Sequence, residues 1–474
     1  MIHVYSGPTI TAAEVTALCP QAVTHPPIRH GDLITLAPTP ADTVVIIDGL
    51  FHGAAPIRHK EILAALADGA TVVGASSMGA LRAAELHPYG MHGIGAVYEA
   101  YRDGRLTADD AVTVQHTPDG MPLGEPLVNL LHTLNTASAS GTISTAAADR
   151  LGDLARSLHY SRRSWTALRR AAQHDPRLVA ALDAVTDRHA CRSRSADLKH
   201  TDAVEALRAA ATGRLPAPDT SGWVDQPWRT SFLRHWTTAH TVREIAGATV
   251  PFRAELQHQQ LYDRHFRDRW RGRVLAWITG LPANAPGTED AALRTAAARG
   301  ITSETLTPAQ AGYWITPAET TRCDAHEQLL RLLVRSARID AATFVWPSTR
   351  DEAAGLLDTA MDSGQRTAEA WLLNQAIARS GPGRHVHLLD PERLRAHLAE
   401  TWQIPDEPRE LDAAARDRAF PHIDAAVEAA RPFYLHAIGA RRFLPSPVPA
   451  GPWSRGPEGR PQETPVRHPA PGFP

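Results

Sequence analysis

Cysteine is scarce in this chain of 474 residues. Cys19, Cys191 and Cys323 lie far apart and form no C-x-x-C pair. That spacing argues against a disulfide framework and a structural zinc site, and makes a reducing cytoplasm the natural compartment. An excess of charge of one sign is also missing. Lys and Arg number 49 against 51 Asp and Glu, a formal net charge of −2, and the sequence pI is near 6.9. No global electrostatic pull toward nucleic acid is expected. No stretch reaches the apolar length of a membrane span, so no membrane partner is expected. The opening MIHVYSG reads as a short strand rather than a signal peptide. Two phosphate-binding signatures are absent as well. G-x-G-x-x-G does not occur, and no Lys-Ser/Thr pair follows the small-residue turn that ends at Gly79. The composition that remains, 43% hydrophobic and 21% charged, fits a globular chain of two or three domains.

The richest local pattern runs from Thr71 to Val112. Thr71-Val72-Val73 is a β-type run. It ends in Gly74-Ala75-Ser76-Ser77-Met78-Gly79, and a helical pattern follows from Ala80 to Leu86. Strand, tight turn and helix is the geometry that exposes a reactive side chain above a helix N-terminus. Read from Ala75, the turn is small-x-Ser77-x-Gly79, the nucleophile-elbow pattern with alanine for the first glycine. Ser77 is thus a candidate nucleophile, with the N–H groups of Met78 and Gly79 as oxyanion donors. Serine also caps helices well, so Ser76 and Ser77 have a purely structural alternative.

The run Gly74 to Leu86 resembles the signature of the TfuA family. So do Ile46-Ile47-Asp48-Gly49-Leu50-Phe51 and His59-Lys60-Glu61-Ile62-Leu63 upstream. Downstream, Gly90-Met91-His92-Gly93-Ile94-Gly95 and Asp109-Asp110-Ala111-Val112 fit too, although Ala111 stands where an acid is common. The resemblance covers roughly the first 135 residues. It implies an association with YcaO enzymes that install backbone thioamides in ribosomal peptides. It further implies release of sulfide from a thiocarboxylated, ThiS-like sulfur carrier. Expected partners are therefore a YcaO enzyme, a sulfur-carrier protein and a precursor peptide. This chemistry needs no cofactor. Two other activities stay open: a ClpP-like serine peptidase, which Ala75 to Ala80 is also similar to, and a non-catalytic activator of a YcaO enzyme.

The expected fold class is α/β. A mostly parallel sheet domain over residues 1–135 is followed by a mainly helical region over 136–442, with a possible split near 213–227. A tail over 443–474 carries ten prolines and is expected to be disordered. Continuous apolar runs such as Thr43 to Asp48 suit strands covered on both faces. In such a sheet Asp48 and Ser77 lie at carboxyl ends of strands, where open α/β sheets bind ligands.

Around Ser77, His59 is the expected general base, with Asp48 or Glu61 orienting its imidazole. His116 and His92 are alternative bases. Lys60 and Arg82 are expected to attract a carboxylate or thiocarboxylate, together with Ser76, Met78, Gly79, Glu61 and Asp110 as substrate-binding positions. Each has a plainer role. Lys60 can solvate a surface, Arg82 can pair with Glu85 on its own helix, and Asp109 and Asp110 can occupy a helix first turn capped by Thr107. No metal is expected. Pro56 interrupts the interval between His52 and His59, and the pairs Cys323/His326 and His385/His387 lack partners. Trp223, Trp228, Trp236, Trp270 and Trp277 are expected to pack in cores rather than to bind RNA.

Overall fold

Five short strands pair in parallel in the order β2-β1-β3-β4-β5. They are β1 (Ile2–Tyr5), β2 (Ala22–His25), β3 (Thr43–Ile46), β4 (Thr71–Ala75) and β5 (His92–Ile94). The computed structural model describes residues 1–117, 122–187, 197–213, 215–337 and 345–439. Cys191 and the proline-rich tail lie outside the described residues.

The strands form where β-branched residues cluster, and they alternate between two buried faces as a period of two demands. Val44, Ile46 and Val72 face one core, while Val4, Val45, Ile47 and Val73 face the other. The first core is covered by α3 (His59–Ala67) and α4 (Met78–Leu86), through Ile62, Leu66, Ala80 and Leu86. The second is covered by α1 (Ala12–Leu18) through Val15. Thr11 caps α1 in a reciprocal capping box with Glu14. A short α2 (Asp32–Leu36) precedes β3, and α5 (Ala96–Arg102) follows β5.

Beyond the sheet come α6 (Leu127–Ala139), α7 (Thr145–Ser157), α8 (Trp165–Ala172), α9 (Pro176–Asp187) and α10 (Leu198–Ala211). These helices continue the packing past residue 135. Leu127 to Val185 extend the first core without a break. On the other face, Ala203, Ala206, Leu207 and Ala210 of α10 pack against the strands beside Val15. An open sheet needs both faces covered, and the chain supplies part of one cover from residues far beyond 135. Local pattern does not reveal that dependence. Trp223 also belongs to the first core, so the change of core falls after the expected split at 213–227.

The second half builds its own cores from helices between Phe252 and Ala437. Leu261, Trp402 and Phe433 centre one, and Phe266, Trp270 and Val274 another. Of the five tryptophans, Trp223 and Trp270 are buried, whereas Trp277 is largely exposed. One antiparallel hairpin, β6 (Val242–Ile245) with β7 (Ala248–Pro251), interrupts the helices. Among the described residues no helix is long and apolar enough to cross a membrane.

Candidate active site

The strand order places its reversal between β1 and β3, since β2 lies on one side of β1 while β3, β4 and β5 lie on the other. Loops leaving β1 and β3 at their carboxyl ends therefore splay apart, and the crevice between them is where such sheets take ligands. Asp48 sits there. Its Oδ2 accepts the Gly7 and Thr9 N–H groups at 2.9 and 3.0 Å, and its Oδ1 accepts the Thr9 hydroxyl at 2.6 Å. The carboxylate thus ties the two diverging loops together.

β3 and β4 are adjacent, with Ile46 paired to Gly74, so the Ser76-Ser77 turn emerges beside Asp48. The turn is tight. Ser77 N–H donates to the Ala75 carbonyl at 2.8 Å, and Ser76 between them has φ +69°. This is a γ-turn with its central residue in the left-handed region, a strained arrangement that surrounding structure must hold in place. The Ser76 Oγ is buried and takes no hydrogen-bond partner among the described residues. Ser77 occupies the N-cap of α4, yet its side chain makes no capping bond. The capping alternative for these serines is therefore not what the hydroxyls do.

Two glycines allow this geometry. A Cβ on Gly79 would lie 1.7 Å from the Ile46 carbonyl oxygen, and one on Gly74 would lie 2.1 Å from the Gly79 carbonyl oxygen. Helix α4 touches the sheet backbone directly. Gly79 N–H donates to the Ile47 carbonyl at 3.3 Å, which removes it from the expected oxyanion pair. Met78, at the first helical position, has no intrahelical acceptor for its N–H, and its buried side chain packs on Gly49.

Ser77 and Asp48 line a partly open cavity of about 400 Å³. The loop after β3 supplies Gly49 to His52, and the segment Val112 to His116 forms the opposite wall. Tyr160 and Leu123 also line it, and His52 stacks on Tyr160 with ring centroids 5.7 Å apart. The wall at 112–116 is anchored from behind. Buried Arg163 donates to the Asp110 carbonyl at 2.6 Å and to its carboxylate at 2.7 Å. Asp110 is thus a clamp for the wall. The residue before its short helical turn is Ala108, so Thr107 does not cap it.

Lys199 completes the cavity, and reading the sequence missed it. Asp197 caps α10, which sets Lys199 on the same helical face as Ala203, Ala206, Leu207 and Ala210. The side chain is 4% exposed. Its Nζ donates to the Val112 carbonyl at 3.0 Å. Burial pushes its pKa below the usual lysine range, against the opposing pull of Asp48 and Asp197. Nearby, burial and then the Asp197 charge raise Glu125 to about 7. The available signal was one cation on a helical face that otherwise buries alanine, leucine and the single acid Asp202.

Several expected site residues lie elsewhere. His59 does not line the cavity. It begins α3 with its ring largely exposed, and its Nε2 lies 2.8 Å from Glu85 and 3.5 Å from Arg82. The orienting acid is thus Glu85 rather than Asp48 or Glu61, and the group sits on the outer side of α4. Arg82 also donates to the Ile57 carbonyl at 3.3 Å and to Glu85 at 2.6 Å. Glu61 is buried, accepting from Gly31 N–H at 2.7 Å and pairing with His30. Lys60 donates to the Trp228 carbonyl at 2.8 Å. These residues hold α3, α4 and neighbouring loops together. His92 is engaged by the Pro216 carbonyl at 2.9 Å. Of the alternative bases, only His116 lines the cavity, with Nδ1 at 2.9 Å from the Thr117 carbonyl. Among the described residues no group of three or more His, Cys, Asp or Glu side chains is arranged to hold a metal.

Residues 48–164 match the family model of TfuA-like proteins. The match carries the resemblance read from the motifs, and it supports a role in a thioamidation-associated, YcaO-type system. No curated protein matches the chain. The TfuA-like segment begins at Asp48 and takes in Ser77, the cavity wall, Tyr160 and the Arg163 anchor. It does not contain Lys199, which α10 brings in from outside.

Proposed function

We propose that the TfuA-like site hydrolyses the C-terminal thiocarboxylate of a ThiS-like sulfur-carrier protein. The hydrosulfide released would serve a YcaO enzyme in thioamidation of a ribosomal peptide. One observation carries this reading. Ser77 stands on a strained turn at the carboxyl edge of a parallel sheet, lines a cavity, and spends no side-chain bond on capping its helix. A hydroxyl so presented is suited to nucleophilic attack. The Met78 N–H and the positive end of α4 favour the oxyanion that forms. Expulsion of hydrosulfide leaves an acyl-serine, which water hydrolyses. No cofactor enters this scheme. The helical region beyond residue 230 offers surface for the carrier, the YcaO enzyme or the peptide.

The test measures sulfide release from a thiocarboxylated carrier by the full chain, with carrier binding followed separately. Ser77→Ala should lose on the order of 10⁴-fold in rate, because a nucleophile contributes to the transition state. Binding should be retained. Ordinary turnover by Ser77→Ala refutes the nucleophile, and unimpaired support of thioamidation by that variant favours the activator reading. Cleavage of the precursor peptide without sulfide release favours the peptidase.

A further inference from the structure

We propose that Lys199 is the general base for Ser77, so that the site works as a Ser–Lys dyad with Asp48 as the acid that steadies it. The inference deepens the hydrolase reading and rests on it for the identity of the substrate.

Of the 49 Lys and Arg residues in the chain, Lys60 and Lys199 are the only lysines. A sequence that uses arginine almost everywhere keeps lysine at a buried cavity position. Arginine binds anions at least as well as lysine, but it cannot release its proton near neutral pH. A property that arginine lacks is therefore what this position calls for. Solvation does not explain the residue, since the side chain is 4% exposed. Packing does not explain it either, because Ala203, Ala206, Leu207 and Ala210 fill that face against the strands, and its other buried charge, Asp202, is used up accepting the Ala96 and Val97 N–H groups at 3.1 and 2.8 Å.

Geometry supports the assignment. Lys199 and Ser77 line the same cavity, as does Asp48. The Val112 carbonyl takes one of the Nζ hydrogens and fixes the end of a long, flexible stem. The other candidates are less well placed. His59 lies outside the cavity on Glu85. His52 and His116 also line the cavity, but His52 is engaged in stacking on Tyr160 and His116 by the Thr117 carbonyl. Burial favours the neutral amine, while the carboxylates of Asp48 and Asp197 favour the ammonium. That balance suits a group that must accept a proton and then return it.

The neutral amine takes the Ser77 proton as Oγ bonds to the thiocarboxylate carbon. The ammonium, which the Asp48 charge favours, gives that proton to sulfur as the C–S bond breaks, and hydrosulfide leaves. Thiocarboxylate plus serine thus gives acyl-serine plus hydrosulfide. In the second half the amine takes a proton from water. Hydroxide adds to the acyl carbon, the C–Oγ bond breaks, and Ser77 recovers its proton from the ammonium. The products are a carboxylate and one proton.

The experiment uses a fluorophosphonate, which labels activated serines without regard to the natural substrate. Wild-type full-length protein should be labelled at Ser77. Lys199→Arg, which keeps the charge but not the base, should react at least about 10²-fold more slowly. Its rate should also lose the rise with pH that ionisation of Lys199 gives the wild type. In Lys199→Ala, added ethylamine should restore part of the rate, a rescue that a merely structural lysine would not show. Wild-type labelling in Lys199→Arg overturns the proposal, and so does a wild-type Ser77 that does not react. A Ser77 whose labelling depends on Lys199, but which frees no sulfide from a thiocarboxylated carrier, keeps the dyad and removes only the substrate assignment.

Discussion

Replacing Gly79 by alanine tests how the fold presents the candidate nucleophile. The added Cβ would sit 1.7 Å from the Ile46 carbonyl oxygen, whereas a carbon approaches a carbonyl oxygen no closer than about 3.3 Å. Helix α4 must therefore retreat by about 1.5 Å. Retreat stretches the Gly79 N–H bond to Ile47, now 3.3 Å, beyond useful length, a loss of about 1 kcal/mol. It also lifts Met78 from Gly49 and opens a gap under Ala80 and Leu86; Met78, Ala80 and Leu86 are fully or almost fully buried. Gaps of that size forfeit a large share of each dispersion contact, and overpacking a core costs about 1–3 kcal/mol. Together these give about 3 kcal/mol. For a unit of this size that is a fall in melting temperature of about 6–12 °C. Calorimetry on the full chain should show the N-terminal transition moving down while the transition of the second half stays in place. Sulfide release should fall on the order of 10²-fold even below the melting range, because Ser77 moves with the helix. A Gly79→Ala protein melting within about 2 °C of wild type would show that α4 does not lie against β3 as described.

Two further outcomes follow from the site. His59→Ala should retain sulfide release within about threefold, since its ring serves Glu85 on the outer side of α4, and steady-state kinetics decides it; a loss comparable to that of Ser77→Ala would restore His59 as the base. Glu125, whose pKa burial and Asp197 raise to about 7 from 4.5, binds its proton more tightly folded than unfolded. Its stabilisation is therefore full below about pH 4.5 and is lost as pH rises through 7, a change of about 2 kcal/mol after allowance for partial exposure. Urea midpoints across pH 4.5–8 should fall less steeply in Glu125→Gln. The slope will not vanish, because Asp202, raised to about 6 chiefly by burial, acts in the same sense. Identical slopes in the two proteins would refute the assignment.

Local physics made much of the first domain legible. Strands β3 and β4 follow from β-branched runs, α1 from its Thr11–Glu14 box, and the end of α3 from Gly69, which has φ +89°. The Gly74 to Gly79 turn required small residues because strand and helix backbones touch there, and that requirement is written in consecutive positions. Adjacent strand ends for Asp48 and Ser77 followed from the βαβ pattern and are present.

What sequence alone determined is thus the central strands β1, β3 and β4, the parallel sheet and the serine turn at its edge, since each depends on residues a few positions apart. Only the tertiary structure decided which side of α4 each polar residue faces. His59, Lys60, Glu61 and Arg82 share the serine's neighbourhood in sequence, but they serve the contacts of α3 and α4 away from the cavity. Only the tertiary structure brought Lys199 to Asp48 and Ser77, because α10 must cover a sheet face that the first 135 residues leave half open. Burial of that face is a free-energy gain spread over the whole layer. No short stretch of sequence records which distant helix will supply it.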